Sequence, residues 1–377
     1  MTQPILIIAG DLCLRGRIKS LSSSQLSQLL QDVQPILKSA DASLVNLETA
    51  VVGAPLPAIP KSGPAIGTDV RVLDLLHEVG FSGLTLANNH FADYGAEGVQ
   101  ESLRLIEQHN LWHVGAGMNA EEAALTKYLQ VGDKKLAVIN ACEHEFTIAT
   151  KGKPGCNALN PIRQYKAIQE AKQIADYVLV IIHGGVEHYQ LPTPRMQETY
   201  RFFIEAGADA VINHHQHCYS GYEFYQGKPI VYGLGNFFFD WPGQDANWNK
   251  GYMVKLTFGD KIGLELIPYI QNAEEVGFAL IEGNDKIRFD EHIKVLNTLI
   301  STSEQLQSQF VLWTKQRKDD YMRIILPKEG GARLKSLIPT KYHKYFMPEY
   351  MTAERRLLLK SLFQCEAHND VMNELLN

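Results

Sequence analysis

The chain has 377 residues, 45% hydrophobic and 21% charged, with a formal net charge of −6, an ordinary globular composition that excludes fibrous and disordered classes. No apolar run reaches the roughly 18 residues that a membrane-spanning helix needs. The five cysteines (Cys13, Cys142, Cys156, Cys218 and Cys365) are scattered without a CxxC pair, which argues against a disulfide framework and a structural zinc knuckle.

The opening run Ile5–Ala9 has no basic n-region, is too short for a leader and runs straight into Gly10 and Asp11, so it is expected to be a buried first strand. The expected compartment is the cytoplasm. Short β-branched runs then alternate with amphipathic stretches to about residue 240, the pattern of βα units. Strands are expected at Ser43–Leu47, Gly83–Leu86, Leu136–Asn140, Tyr177–Ile182, Ala210–Asn213 and Pro229–Leu234. Helices are expected at Asp69–Val79, Ala96–His109, Arg163–Ile174 and Pro194–Glu205. In the first of these, Val70, Leu73 and Leu76 recur at helical spacing and Gly80 supplies the stop. Pro194 suits a first helical turn. Gly53–Gly67, rich in proline and glycine, is a long loop of the kind that carries function.

Two alternating runs, Tyr252–Phe258 and Ile262–Ile270, predict a hairpin that closes the sheet. From Asp285 the chain reads as helices, clearest at Asp290–Leu312 and Ala353–Leu376. The expected division is a domain over 1–284 and a helical C-terminal extension over 285–377. Charge follows the same division: 15 Lys and Arg against 12 Asp and Glu in the extension, 21 against 30 before it. Such asymmetry permits a separate role for the tail. Within it, Lys315–Lys360 carries 12 basic against 5 acidic residues, either a surface for a polyanion or membrane or a solvated helical face.

The informative feature is where polar residues fall relative to the strands. Asp11 follows the first, Asn46 and Glu48 end the second, and Asn88, Asn89 and His90 follow the third. His183 follows the apolar run Val178–Ile182, and His214, His215 and His217 follow the strand around Ala210–Ile212. In open α/β sheets, ligands bind outside the carboxyl ends of the strands. Each residue alone has a bland reading: Asp11 as a turn or cap, Asn88 and Asn89 as a loop pair, His183 as a hydrogen-bonded core histidine. Jointly they deliver acid, amide and imidazole groups to one edge, which no core requirement explains. Histidine clusters commonly report metals, and this mixture of donors suits Mn²⁺, Fe²⁺ or Zn²⁺ rather than Ca²⁺ or an iron–sulfur cluster. Glu48, central in the order, is the natural bridge between two metals.

These runs resemble the CapA-like family of poly-γ-glutamate capsule biosynthesis, a branch of the calcineurin-like metallophosphoesterases. The resemblance rests on Gly10-Asp11, Asn46-Leu47-Glu48, Ala87 to Gly95, Gly115-Ala116-Gly117, His183 to Glu187, His214 to His217, and Gly233 to Asp240. It implies a four-layer α/β/β/α sandwich and two divalent metals. Asp11, Glu48 and His217 would surround one, and Glu48, Asn89, His183 and His215 the other. It further implies that His90 meets the scissile phosphate as general acid or transition-state stabiliser, with Asp93 either orienting His90 or capping the following helix. Departures are visible. Cys13 stands where phosphoesterases of this fold carry a histidine, as a ligand or as small packing. The bridge is Glu rather than Asp, and the usual Trp and Pro are replaced by Gly184 and Gln216. Glu187, His188 and Glu223, on loops at the same edge, either contact substrate or support the histidine ligands.

Two functions follow. One is a metal-dependent hydrolase acting on a phosphoester, a γ-glutamyl amide or an anionic capsule polymer. The other is a non-catalytic metal-binding component of a polymer biosynthesis or export complex. No nucleic-acid partner is expected. The C-terminal helices, apolar at Ile293, Leu296, Leu299 and Ile300, are expected to cover the flank of the sheet or else to be the route to a homo-oligomer or complex.

Overall fold

Nine residues, Ile5–Cys13, all buried except the first, form the strand on which the site is built. Their unbroken apolar run Leu6–Ala9 suits a strand covered on both faces. The computed structural model describes residues 3–61, 63–244 and 247–318, with Leu359 and Phe363. Ile5–Cys13 lies inside a sheet ordered Phe278–Leu280, Ile262–Gln271, Lys250–Phe258, Ile5–Cys13, Ala42–Leu47, Gly83–Thr85, Trp112–Val114. Pairing is parallel from Ile5–Cys13 to Trp112–Val114 and antiparallel on the other flank. The flank contains the expected hairpin.

A second sheet is ordered Tyr222–Tyr225, Lys228–Val231, Ala210–His214, Tyr177–His183, Lys134–Cys142, Lys127–Val131. Its three central strands, Lys134–Cys142, Tyr177–His183 and Ala210–His214, are parallel neighbours. Both sheets therefore present the carboxyl ends of parallel strands. The sheets touch through Trp112–Val114 on Lys134–Cys142 and Lys228–Val231 on Ile262–Gln271.

Helix Gly95–Gln108 covers the first sheet, and Arg71–Val79 packs on Ser23–Leu29, while Pro161–Lys172 and Pro194–Glu205 cover the second. The result is the four-layer α/β/β/α sandwich. Arg71–Val79 buries five of its nine residues and ends at Gly80, which is left-handed at φ 110°, as a C-terminal glycine allows. Pro194–Glu205 starts where the sequence places it, because the Thr193 hydroxyl accepts from the Met196 amide at 3.2 Å and Pro194 needs no amide partner. Pro229–Leu234 is shorter than expected, at Lys228–Val231; Leu234 instead bridges Tyr219.

The chain divides into two compact units, Met1–Gln307 and Ser308–Asn377. Helix Gly283–Ser301 straddles residue 285 and packs against Tyr222–Tyr225. It buries Ile293, Leu296 and Ile300 of the apolar stripe, together with Phe289, while Leu299 is half-buried. Asn297 accepts from the Tyr222 amide at 2.7 Å. The single helix expected over Asp290–Leu312 is two, Gly283–Ser301 and Ser303–Gln316, broken at Thr302, whose φ of −115° and ψ of 113° are extended. The run Ser301-Thr302-Ser303 offers side-chain hydroxyls that compete with helical hydrogen bonding. Nearly all of the helix expected at Ala353–Leu376 and of Lys315–Lys360 lies outside the described residues. Among the described residues no helix is long and apolar enough to cross a membrane.

One close backbone crossing lies beside Asp11. The Asp11 amide donates to the Gly235 carbonyl at 3.3 Å, and a Cβ on Gly10 would lie 1.9 Å from that same oxygen. Gly235 is left-handed at φ 76°, a conformation open to glycine. Gly10→Ala must push Asn236–Phe239 away from Ile5–Cys13. An expected loss of about 3 kcal/mol or more, typical of overpacking against backbone, is read by urea denaturation. A variant as stable as wild type would show that this crossing is not rigid.

Candidate metal centre

Each candidate ligand stands at, or just beyond, a strand's carboxyl end. Asp11 lies in Ile5–Cys13, Glu48 follows Ala42–Leu47, and Asn89 follows Gly83–Thr85 in the first sheet; His183 ends Tyr177–His183, and His215 and His217 follow Ala210–His214 in the second. The structure brings all six together. Glu48, His183 and His215 form one group, and Asp11, Glu48 and His217 another, with the ligand atoms of each group within 4.8 Å of one another. Glu48 is common to both. His183 Nε2 lies 3.0 Å from Asn89 Oδ1 and 3.0 Å from His215 Nδ1. Glu48 Oε1 lies 3.6 Å from His183 Nε2 and 3.7 Å from His217 Nε2.

Neighbouring amides hold these groups. Asn46 donates to Asp11 Oδ1 at 2.7 Å, and Asn236 Oδ1 accepts from His217 Nδ1 at 2.9 Å. That second bond places the His217 proton on Nδ1 and leaves Nε2, on the Glu48 side, as the ligand atom. The loop carrying the histidines is strained, with His215 at φ 92° and His217 at φ 54°. Non-glycine residues in this region cost on the order of 1–3 kcal/mol each and cluster at functional sites.

The electrostatics fit a cation. Both Glu48 carboxylate oxygens are buried and have no hydrogen-bond partner, a costly state for a carboxylate unless a cation completes it. Burial, reinforced by Asp11, pushes the Glu48 carboxyl well above its ordinary range. Burial would also raise Asp11, but His214, whose Nδ1 is 3.3 Å away, together with His183 and His217, holds it below the carboxylate range. Burial lowers His183 well below its ordinary value, helped by His215, and brings His217 down to about 4. Neutral imidazoles and an ionised Asp11 are protonation states that divalent-metal binding requires, and the Glu48 proton is the one an arriving cation would displace.

Residues 5–241 match the family described as bacterial capsule synthesis protein PGA_cap. The chain belongs to that family. Curated relatives include the capsule biosynthesis protein CapA of Bacillus anthracis, 31% identical over 242 residues covering 62% of this chain and 59% of the relative. The PGA biosynthesis protein CapA of Bacillus subtilis (strain 168) is 30% identical over 235 residues, 61% of this chain and 62% of the relative. The chain thus spans about three fifths of the length of these relatives. Among solved structures, a novel phosphatase from Mycoplasma pneumoniae aligns over 72% of this chain and 95% of its own, at 14% identity and a TM-score of 0.45.

Other positions in this capsule synthesis family member can now be placed. Cys13 is fully buried among Ile66, Phe239 and Trp248, and burial raises its thiol; it packs as a small apolar residue. Asp93 does not cap the helix Gly95–Gln108, which has no side-chain cap. Its carboxylate instead accepts from His90 Nδ1 at 2.7 Å. Glu187 is exposed, and its charge acts on Glu48 and His217. His188 stacks on Trp248 with ring centroids 5.9 Å apart. Glu223 lies on a strand, Tyr222–Tyr225, rather than a loop. There it takes two bonds from Arg201, at 2.9 and 2.6 Å, and one from the Tyr232 hydroxyl at 2.6 Å, which commits its carboxylate to the second sheet. Asp240, the end of the last motif, pairs with Arg17 at 2.7 Å.

Two features escaped the sequence reading. A cleft of about 390 Å³ opens beside His215, lined by Glu143, His144, Glu145, Gly185 and Arg195. Glu143 pairs with Arg195 and accepts from the Gly185 amide at 2.9 Å. Glu143 directly follows the strand Lys134–Cys142, so the strand-end rule would have found it. The second feature is Lys61, in the loop after Gly53. A larger cavity of about 910 Å³, between Pro194–Glu205 and Ser303–Gln307, includes none of the candidate ligands.

Proposed function

We propose that this protein is a divalent-metal-dependent hydrolase acting on a phosphoester or on an anionic polymer of the capsule or exopolysaccharide kind. The observation that carries the reading is Glu48, a buried carboxylate without a hydrogen-bond partner, shared by two groups of candidate ligands. Asp11, Glu48 and His217 would hold one ion; Glu48, Asn89, His183 and His215 the other. Mn²⁺, Fe²⁺ and Zn²⁺ all suit these donors. When bound, such ions polarise the scissile group and lower the pKa of water. His90 adjoins the candidate ligand Asn89, and its Nδ1 is tied to Asp93. Its Nε2 is therefore the atom left to give a proton to the departing oxygen. The cleft beside His215 would admit an extended substrate, and Glu187, in electrostatic reach of Glu48, would face it.

Protein purified without chelator should carry close to two equivalents of divalent metal. It should hydrolyse bis-p-nitrophenyl phosphate with added Mn²⁺, measured by metal analysis and by p-nitrophenolate release. Protein that takes up no Mn²⁺ or Zn²⁺ ends the reading. A second reading, a metal-holding component of a capsular polymer synthesis complex, is favoured by the relatives' names, which state biosynthesis. Full metal content without turnover across a phosphatase and phosphodiesterase panel would select it.

A further inference from the structure

Lys61 is a lysine in a proline-rich loop, the kind of residue that ordinarily projects into water. Here its side chain is 3% exposed, and its ammonium donates to Asp93 Oδ1 at 2.5 Å, where the carboxylate is fully buried. The same ammonium donates to the Asn89 carbonyl at 3.0 Å and lies 3.3 Å from His90 Nδ1. The other oxygen of Asp93 takes His90 Nδ1 and the Ile66 amide, both at 2.7 Å. The Ile59 amide donates to the Asp93 carbonyl at 2.9 Å. The loop is thus tied at Ile59, Lys61 and Ile66 to the segment bearing Asn89 and His90.

The division of labour at Asp93 is the informative part. An isolated buried carboxylate is costly unless paired and hydrogen-bonded. Lys61 supplies the pairing on Oδ1, which leaves Oδ2 aimed at the imidazole. Without the ammonium, only the Ile66 amide remains beside His90 to hold the Asp93 carboxylate, and the Asn89 carbonyl loses a donor. We infer that Lys61 is a positioning residue for His90: through Asp93 and the Asn89 carbonyl it fixes the imidazole's orientation and leaves Nε2 as the proton-transfer atom. This rests on the hydrolase reading for its kinetic consequence, though not for its structural one.

Lys61→Met tests it, with Lys61→Met/Asp93→Asn as a partner variant that leaves no unpaired buried charge should the single variant fail to fold. Three readouts are taken on the full chain: metal content, kcat and KM for p-nitrophenyl and phenyl phosphodiesters, and ¹H–¹⁵N spectra of the histidine rings in the Zn²⁺-loaded protein. Metal content should stay at the wild-type level. The kcat should fall about 10²-fold with KM within about twofold, within the range of a lost positioned acid. The loss should be larger for the poorer phenoxide leaving group, as is expected for His90→Ala too. Adding Lys61→Met to His90→Ala should slow the enzyme no further. The His90 Nδ1–H resonance, slowly exchanging in wild type, should disappear from both Lys61 variants. Equal losses with both leaving groups, full additivity with His90→Ala, or an unmoved His90 resonance each overturn the inference. If wild type cleaves neither ester, the hydrolase reading fails on its own and the ring spectra still decide the role of Lys61.

Discussion

Glu48→Gln should empty both metal positions at once, because Glu48 is the one residue common to both ligand groups. Metal analysis is expected to fall from near two equivalents to near zero, with turnover lost in parallel, whereas His217→Ala should spare the ion held by His183 and His215. A Glu48→Gln protein that keeps one equivalent would show that the two groups are independent. The same substitution should stabilise the chelated protein. Burial raises the Glu48 carboxyl well above 4.5, so the metal-free folded state keeps a proton that the unfolded chain releases. That contribution is complete below about pH 4.5 and is lost as pH rises through the folded value. His183 and His217 act with the opposite sign. Burial depresses them from 6.5, so their contribution is present above 6.5 and lost as pH falls. Above 6.5 the comparison of chelated wild type with Glu48→Gln therefore reads Glu48 alone. The variant should be more stable there by about 2 kcal/mol, a rise of roughly 3 °C in Tm.

His90→Ala should separate chemistry from metal binding. His90 is hydrogen-bonded to Asp93 and belongs to neither ligand group, so the variant is expected to keep its metals and fold. Turnover of bis-p-nitrophenyl phosphate should fall by about 10²–10⁴-fold, the usual contribution of a positioned acid. Loss of metal together with activity would place His90 among the ligands. Undiminished activity would remove it from the mechanism.

The strand-end placement of the polar residues was legible because it needs only local information. Tyr177–His183 is apolar up to its last residue, and a histidine there has no packing purpose. Pro194–Glu205 was legible residue for residue, since a threonine cap and a first-turn proline announce a helix start. What stayed hidden depends on tertiary pairing. Lys61 sits in a segment without periodicity, and only the folded chain shows that Asp93, 32 residues later, takes its charge. Glu223 looked like a candidate for substrate because its partner, Arg201, comes from a helix on the other side of Ala210–His214 in sequence. The break at Thr302 was hidden for another reason. Propensity differences of a few tenths of a kcal/mol per residue do not show where a long helical pattern divides.

The two sheets contribute three candidate ligands each, and neither set alone makes the centre. His215 donates its amide to Asp11 across 204 residues of chain, and closing a loop of that length costs roughly 5 kcal/mol in entropy before any contact repays it. Both strand systems must therefore be formed and docked before six ligands exist to receive an ion, so any metal capture would follow that docking. Interactions absent from the transition state change the unfolding rate and leave the folding rate nearly untouched. The ions, in this protein, would be a brake on opening rather than a seed for folding.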